Sequence, residues 1–140
     1  MSTFSDAIDG LATVLKNGIA GLHTYNHPPD AVQELPAVVM IVENVDPEMA
    51  FGGNSIMADI RCVFLYHSGV SDEAFRQIYD AIDPTNATTS VIKAIRDDSS
   101  LDAKVDSSRI VAIENIGRRE IGGGFLAGFD VVVRFVKTVG

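Results

Sequence analysis

Two stretches of the chain carry an apolar residue at every second position without a break, and this constrains the fold more than any other feature. In residues 55–67, Ile56, Ala58, Ile60, Cys62, Phe64 and Tyr66 make one unbroken apolar side, while Met57, Asp59, Arg61, Val63, Leu65 and His67 make a mixed one. Residues 125–136 repeat the pattern, with Phe125, Ala127, Phe129, Val131, Val133 and Phe135 on one side and Leu126, Gly128, Asp130, Val132, Arg134 and Val136 on the other. A period of two is that of a β-strand with one face in the core. Two such strands define a sheet whose apolar side has to be covered.

Helices are the natural cover. Phe4, Ile8, Leu11, Leu15, Ile19 and Leu22 recur at spacings of three and four, with Asp6, Asp9, Thr13, Lys16 and Asn17 opposite, which predicts an amphipathic helix over 4–22. Its glycines, Gly10, Gly18 and Gly21, weaken the isolated helix, so packing has to hold it. A second helix opens at Ser71, with Asp72 and Glu73 in its first turn and Phe75, Ile78, Tyr79 and Ile82 inward. DPTNATT ends it. A shorter helix near 90–96 turns Val91, Ile92 and Ile95 inward, and the polar loop after it keeps Leu101 and Val105 as anchors.

The remaining strands complete two hairpins. PAVVMIVENV, opened by Pro36, is apolar on both faces from Val38 to Val42 and leads through loop 46–54 into the first alternating strand. RIVAIENI, 109–116, leads through the glycine-rich loop GRREIGGG into the second. The expected architecture is one α+β domain over 1–140, without internal repeats. It is a largely antiparallel four-stranded sheet with an N-terminal helix and two further helices packed on one face.

Charge and composition exclude several classes. Nineteen acidic against eleven basic residues give a net charge of −8, which disfavours sequence-specific nucleic-acid binding. Hydrophobic content of 46% and charged content of 21% are ordinary for a soluble globular chain, and no apolar stretch is long enough to span a membrane. No secretory signal is expected from MSTFSDAIDG, and the single cysteine fits a reducing compartment such as a cytoplasm.

Catalytic and metal-binding patterns are thin. His23 and His27 have the spacing of two helical zinc ligands, with Asp30 close by. Pro28 and Pro29 impose extended angles on the residues before them, so a bend between elements is expected rather than a metal site. Cys62 lies within an apolar strand face and reads as core. The glycine runs lack the lysine and hydroxyl of a phosphate loop. No cofactor and no catalytic residue is expected.

The mixed strand faces carry the expectation of an interface. Met57, Asp59, Arg61, Val63, Leu65, Leu126, Asp130, Val132 and Arg134 are the candidate oligomer contacts, the alternative being scattered apolar residues on an ordinary exposed sheet face. Phe51, Gly52 and Gly53 in one loop, with Arg118, Arg119, Glu120 and Gly123 in the other, are the candidate contacts to partners.

The succession of an amphipathic helix, YNHPPDAVQELPAVVM, a long alternating strand, SVIKAIRDDSSLDAKVDSSRIVAIEN and GGGFLAGFDVVVRFV resembles the tail terminator and tail completion proteins of long-tailed bacteriophages. The resemblance covers nearly the whole chain and rests on element order, length and loose motifs: Tyr25, Pro29, Asp30, Leu35 and Pro36 in the bend, with Leu126, Gly128 and the valines of the last strand. The chain departs from the family at Asp102 and Ala103, where members often carry a glycine pair. What the resemblance implies is a non-enzymatic virion protein, assembled in the host cytoplasm. It would form a homo-oligomeric ring, a hexamer, at the head-proximal end of the tail. Such a ring contacts the tail tube protein, ends tube polymerisation and joins the head-tail connector protein, while DNA passes through its lumen unbound. An acidic chain suits that conduit. The alternatives are a neck, connector or minor tail protein and, from another class, a small metal-dependent enzyme using His23, His27 and Asp30.

Overall fold

The computed structural model describes residues 2–27, 34–46, 55–68, 72–86, 90–121 and 124–138. In chain order these form α1 (Thr3–Gly18), β1 (His23–Tyr25), β2 (Ala37–Asp46), β3 (Ser55–Ser68), α2 (Asp72–Ile82), α3 (Val91–Asp97), β4 (Ser107–Ile121) and β5 (Gly124–Thr138). The sheet has five strands in the order β1-β2-β3-β5-β4. This corrects the expected four-stranded, largely antiparallel sheet: β1 is an additional strand and runs parallel to β2, from His23 opposite Ala37 to Tyr25 opposite Val39. Three residues carry too little periodicity to announce a strand. The prolines bias the chain toward extended angles, but the extension begins earlier, at His23, once α1 has ended at Gly18.

α1 starts on a capping serine: the Ser2 hydroxyl accepts from the Ser5 backbone N–H at 3.0 Å. Its apolar stripe buries Ala7, Leu11, Val14 and Leu15, and Ile19 and Leu22 continue the burial past the helix end. Gly10 is required here for closeness, since a Cβ at this position would collide with the Leu101 carbonyl. α3 is capped by Ser90, whose hydroxyl accepts from Lys93 N–H at 3.1 Å. The Ser71 cap expected for α2 lies outside the described residues. Within α2, Ile78 and Ala81 are buried but Tyr79, expected inward, is 56% exposed and tilts against Phe75 instead.

The helices and one sheet face share a single core. Val38, Met40, Ala58, Ile60, Cys62, Phe64, Ala127, Phe129, Val131, Val133 and Phe135 all point into it and are essentially inaccessible. Phe64 and Phe129 stack at 5.0 Å, and Tyr66 stacks on Phe129 at 5.7 Å. Leu101 and Val105 anchor the segment after α3, at 0% and 5% exposure. That segment turns through three consecutive left-handed residues, Leu101, Asp102 and Ala103, with φ of 50°, 57° and 61°.

The second hairpin corrects another expectation. Most of GRREIGGG is not a loop: β4 runs to Ile121 and β5 begins at Gly124, with Arg118, Arg119 and Glu120 paired to Ala127, Leu126 and Phe125. Backbone pairing continues because extended main chain needs no particular side chain to form its ladder. The segment 47–54 lies outside the described residues.

Candidate functional site

The sheet face opposite the helices holds the charged residues. The antiparallel register places Glu43, Asp59 and Arg134 in one row across β2, β3 and β5, and Ile41, Arg61 and Val132 in the next. Val39, Val63, Asp130 and Glu114 form a third row, which β4 completes. Period-two alternation forces all of these to one side, the side the helices leave uncovered.

Two carboxylates on this face are buried, Asp59 at 3% and Asp130 at 2% exposure. Guanidinium groups make that possible. Arg134 clamps Asp59 through Nε to Oδ1 at 2.8 Å and Nη2 to Oδ2 at 3.3 Å, and Asn44 Nδ2 donates to Asp59 Oδ2 at 3.5 Å. Arg61 donates from Nη1 to Asp130 Oδ2 at 3.0 Å, from Nε to both Glu43 oxygens at 3.1 and 3.2 Å, and from Nη2 to Glu114 Oε1 at 3.3 Å. Asn115 Nδ2 adds a bond to Asp130 Oδ2 at 2.9 Å. The Glu43 hydrogen bond, and after it Asp130, holds Arg61 above its ordinary pKa against the opposing effect of burial, and Asp59 does the same for Arg134. Four strands are thus tied together by one network.

The network is built on a repeat that the sequence reading missed. Glu43, Asn44 and Asp59 have counterparts Glu114, Asn115 and Asp130 at one constant interval along the chain, within VENV (42–45) and IENI (113–116). Each Glu opposes its Asp across the hairpin, and each hairpin has a register shift straight after the Glu. Each Asn is left-handed, with φ of 53° and 55°, and donates to the buried Asp of the neighbouring strand. Asparagine is among the few side chains that tolerate that conformation. The residues after them, Val45 and Ile116, are both 46% exposed. In register, β2–β3 and β4–β5 exchange about a pseudo-two-fold at the Arg61–Val132 pair, so Arg61 reaches both copies of the glutamate. The paired ENV/ENI strings were the available signal.

The candidate interface residues fall as follows. Met57, Asp59, Arg61, Val63, Leu65, Asp130, Val132 and Arg134 share this one face. Leu65 and Val132 are already buried at 1% and 5%, while Ile41, at 40%, is the exposed apolar residue on the β2 side. Leu126 belongs to β5, and Arg118, Arg119 and Glu120 to the paired end of β4. Phe51, Gly52, Gly53 and Gly123 lie outside the described residues.

The histidine candidates are not brought together as a helical pair. His23 is on the edge strand, where Nδ1 meets Glu34 at 2.9 Å with both side chains largely exposed, and Asp30 lies outside the described residues. Among the described residues no group of three or more His, Cys, Asp or Glu is placed to hold a metal ion. Cys62 is fully buried, and desolvation pushes its thiol well above the ordinary value, away from the thiolate that nucleophilic chemistry needs. Among the described residues no helix is long and apolar enough to cross a membrane.

Compared with models of known protein families, the chain matches none, and a comparison with curated proteins also finds no match.

Proposed function

We propose that the protein is a structural component of a long-tailed phage virion, a ring-forming terminator at the head-proximal end of the tail tube. The observation that carries this reading is the sheet face that the helices do not cover: an ion-paired surface on which Ile41, at 40%, is exposed beside Arg61. An exposed large apolar side chain beside charged groups suits a subunit contact. β4 supports it further, because among the described residues this fifteen-residue strand stands at the edge of the sheet with β5 as its strand neighbour, and an edge strand can pair with another subunit. The net charge of −8 suits a lumen that lets DNA pass without adhering.

A closed ring joins two different patches of neighbouring subunits, so its growth stops at a fixed number. The test is particle mass and negative-stain imaging of the purified protein, alone and with tail tubes. Rings, expected as hexamers, at one end of each tube support the proposal. A protein that stays monomeric and leaves tubes uncapped removes it.

A further inference from the structure

The two hairpins follow the same register except at one residue, and that exception shapes a pocket. In β4 an extra residue, Val111, sits between Ile110, opposite Val133, and Ala112, opposite Val132. The corresponding stretch of β2 is paired without interruption from Ala37 to Glu43. An extra residue breaks the alternation of sides. Ser107 and Arg109 therefore share the helix-free face with Ala112 and Glu114, opposite Val136, Arg134, Val132 and Asp130 in turn. The counterpart of Arg109 in the first hairpin is Val38, which is fully buried in the core.

Arg109 is a surplus cation on that face. Arg61 is committed to Glu43, Glu114 and Asp130, and Arg134 to Asp59. Asp106, next to Ser107 in the chain, is taken by Thr138 and Lys137. Among the described residues Arg109 is exposed and has neither an ion pair nor a hydrogen bond. It stands directly opposite Arg134 all the same, and like charges so placed repel. Asp59 answers one of the two guanidiniums, so about one positive charge is left over.

The two arginines line a pocket of about 230 Å³ together with Ser107, Ser108, Met57 and Val136. Arg134 spends Nε and Nη2 on Asp59, which leaves Nη1 without a protein acceptor among the described residues. The Ser107 hydroxyl is unused there as well, whereas that of Ser108 donates to the Ser99 carbonyl at 2.7 Å. Unspent donors thus share the hole with the apolar residues Met57 and Val136.

We infer that this pocket binds a small monocarboxylate with a compact apolar body, a molecule of the size of benzoate. A guanidinium holds a carboxylate through parallel N–H bonds, and the second guanidinium adds charge-assisted donors from the opposite strand. One surplus positive charge matches a monoanion better than a phosphate dianion, the more so on a chain of net charge −8. The volume is sufficient, since an apolar cavity of about 150 Å³ already admits benzene. A bound carboxylate also relieves the repulsion between Arg109 and Arg134, a gain that an isolated surface arginine does not offer. The site does not depend on the ring reading.

The test is NMR of the arginine Nε–H groups during titration with benzoate, with benzamide, acetate, N-acetyl-aspartate amide and inorganic phosphate as comparisons. Saturable shifts of the Arg109 and Arg134 signals are expected with benzoate and none with neutral benzamide. Acetate, which lacks the apolar body, is expected to bind about tenfold more weakly. Arg109→Gln is expected to melt like the parent, because Arg109 is exposed and unpaired, and to bind benzoate about tenfold more weakly. Shifts without saturation, equal shifts with benzamide, or unchanged affinity in Arg109→Gln overturn the inference. Acetate or phosphate binding as tightly as benzoate would mark unselective attraction of anions and overturns it too. Tighter binding of N-acetyl-aspartate amide would give the site to a side chain of a partner protein, and the small-molecule occupant would be dropped.

Discussion

Arg61 is the side chain on which the uncovered face depends. It is 27% exposed, whereas Asp130, which it satisfies, is 2% exposed. Removing one partner of a desolvated pair leaves a charge with too few donors, and that costs more than the pair gained by forming. Asn115 remains to compensate in part. Arg61→Ala is therefore expected to lower stability by about 2 kcal/mol in urea unfolding, and Arg61→Ala with Asp130→Ala by less than the two single losses together. Strict additivity of the two would contradict this coupling. A second residue-level expectation concerns Ala103, exposed and held at a φ of 61°. A Cβ is strained there and glycine is not, so Ala103→Gly should raise stability by up to about 1 kcal/mol, even though glycine loosens the unfolded chain. A lower melting temperature for that variant would show the turn to be unstrained.

The elements show how one device is used twice. β2 and β4 each carry a glutamate, a left-handed asparagine and a register shift, and each asparagine fixes a buried aspartate on the next strand. Separate substitutions can divide the asparagine's conformational role from its hydrogen bond. Asn115→Gly loses the bond to Asp130 and loosens the unfolded chain, while Asn115→Ala loses the bond and adds left-handed strain, the larger of the two additions. The alanine variant is expected to be the less stable by about 1 kcal/mol, measured by chemical unfolding. Equal losses would mean that the shift in β4 relaxes when the side chain is removed. The same strand shows why the glycine-rich segment is paired where a loop is expected. A glycine run in a sequence signals that a hairpin can reverse nearby, but it does not say how far the ladder extends before the reversal.

For the whole molecule, acid is the informative stress. Asp106 joins the start of β4 to the end of β5: its Oδ2 accepts from Thr138 N–H at 2.9 Å and from the Thr138 hydroxyl at 2.6 Å. The Thr138 hydroxyl, then its backbone N–H, and more weakly Lys137 hold this carboxyl below the ordinary aspartate value of 3.8. A depressed carboxylate stabilises the fold above its unfolded pKa, and that contribution is lost as pH falls through the folded value. Asp83, held down by Thr85, acts in the same direction. Asp106→Asn should thus be slightly less stable than the parent at neutral pH and converge with it in acid, when melting temperatures are followed across the range. A constant gap at every pH would show that Asp106 acts by packing instead of by charge.

The unbroken apolar rows of the two long strands determined, from the sequence alone, which residues share the core face wherever the ladder is regular, because a period of two puts every second side chain on one side. They equally determined that Met57, Asp59, Arg61, Val63, Asp130, Val132 and Arg134 share the other face. The inward anchors Leu101 and Val105 and the core position of Cys62 were legible for the same reason, as isolated apolar residues in polar segments or members of an apolar row. The resemblance to tail terminators added a function to propose but none of these placements. Strand order and register were decided only by the tertiary structure, since backbone ladders pair independently of side-chain identity. Hence the three-residue β1 and its parallel pairing with β2 were invisible. So was the partnership of buried aspartates with arginines: Asp130 meets Arg61 only because β5 returns beside β3, far along the chain. The extra residue at Val111 is the sharpest case, for it sends Arg109 to the opposite side of the sheet from its counterpart Val38, and no local pattern in RIVAIENI distinguishes the two outcomes.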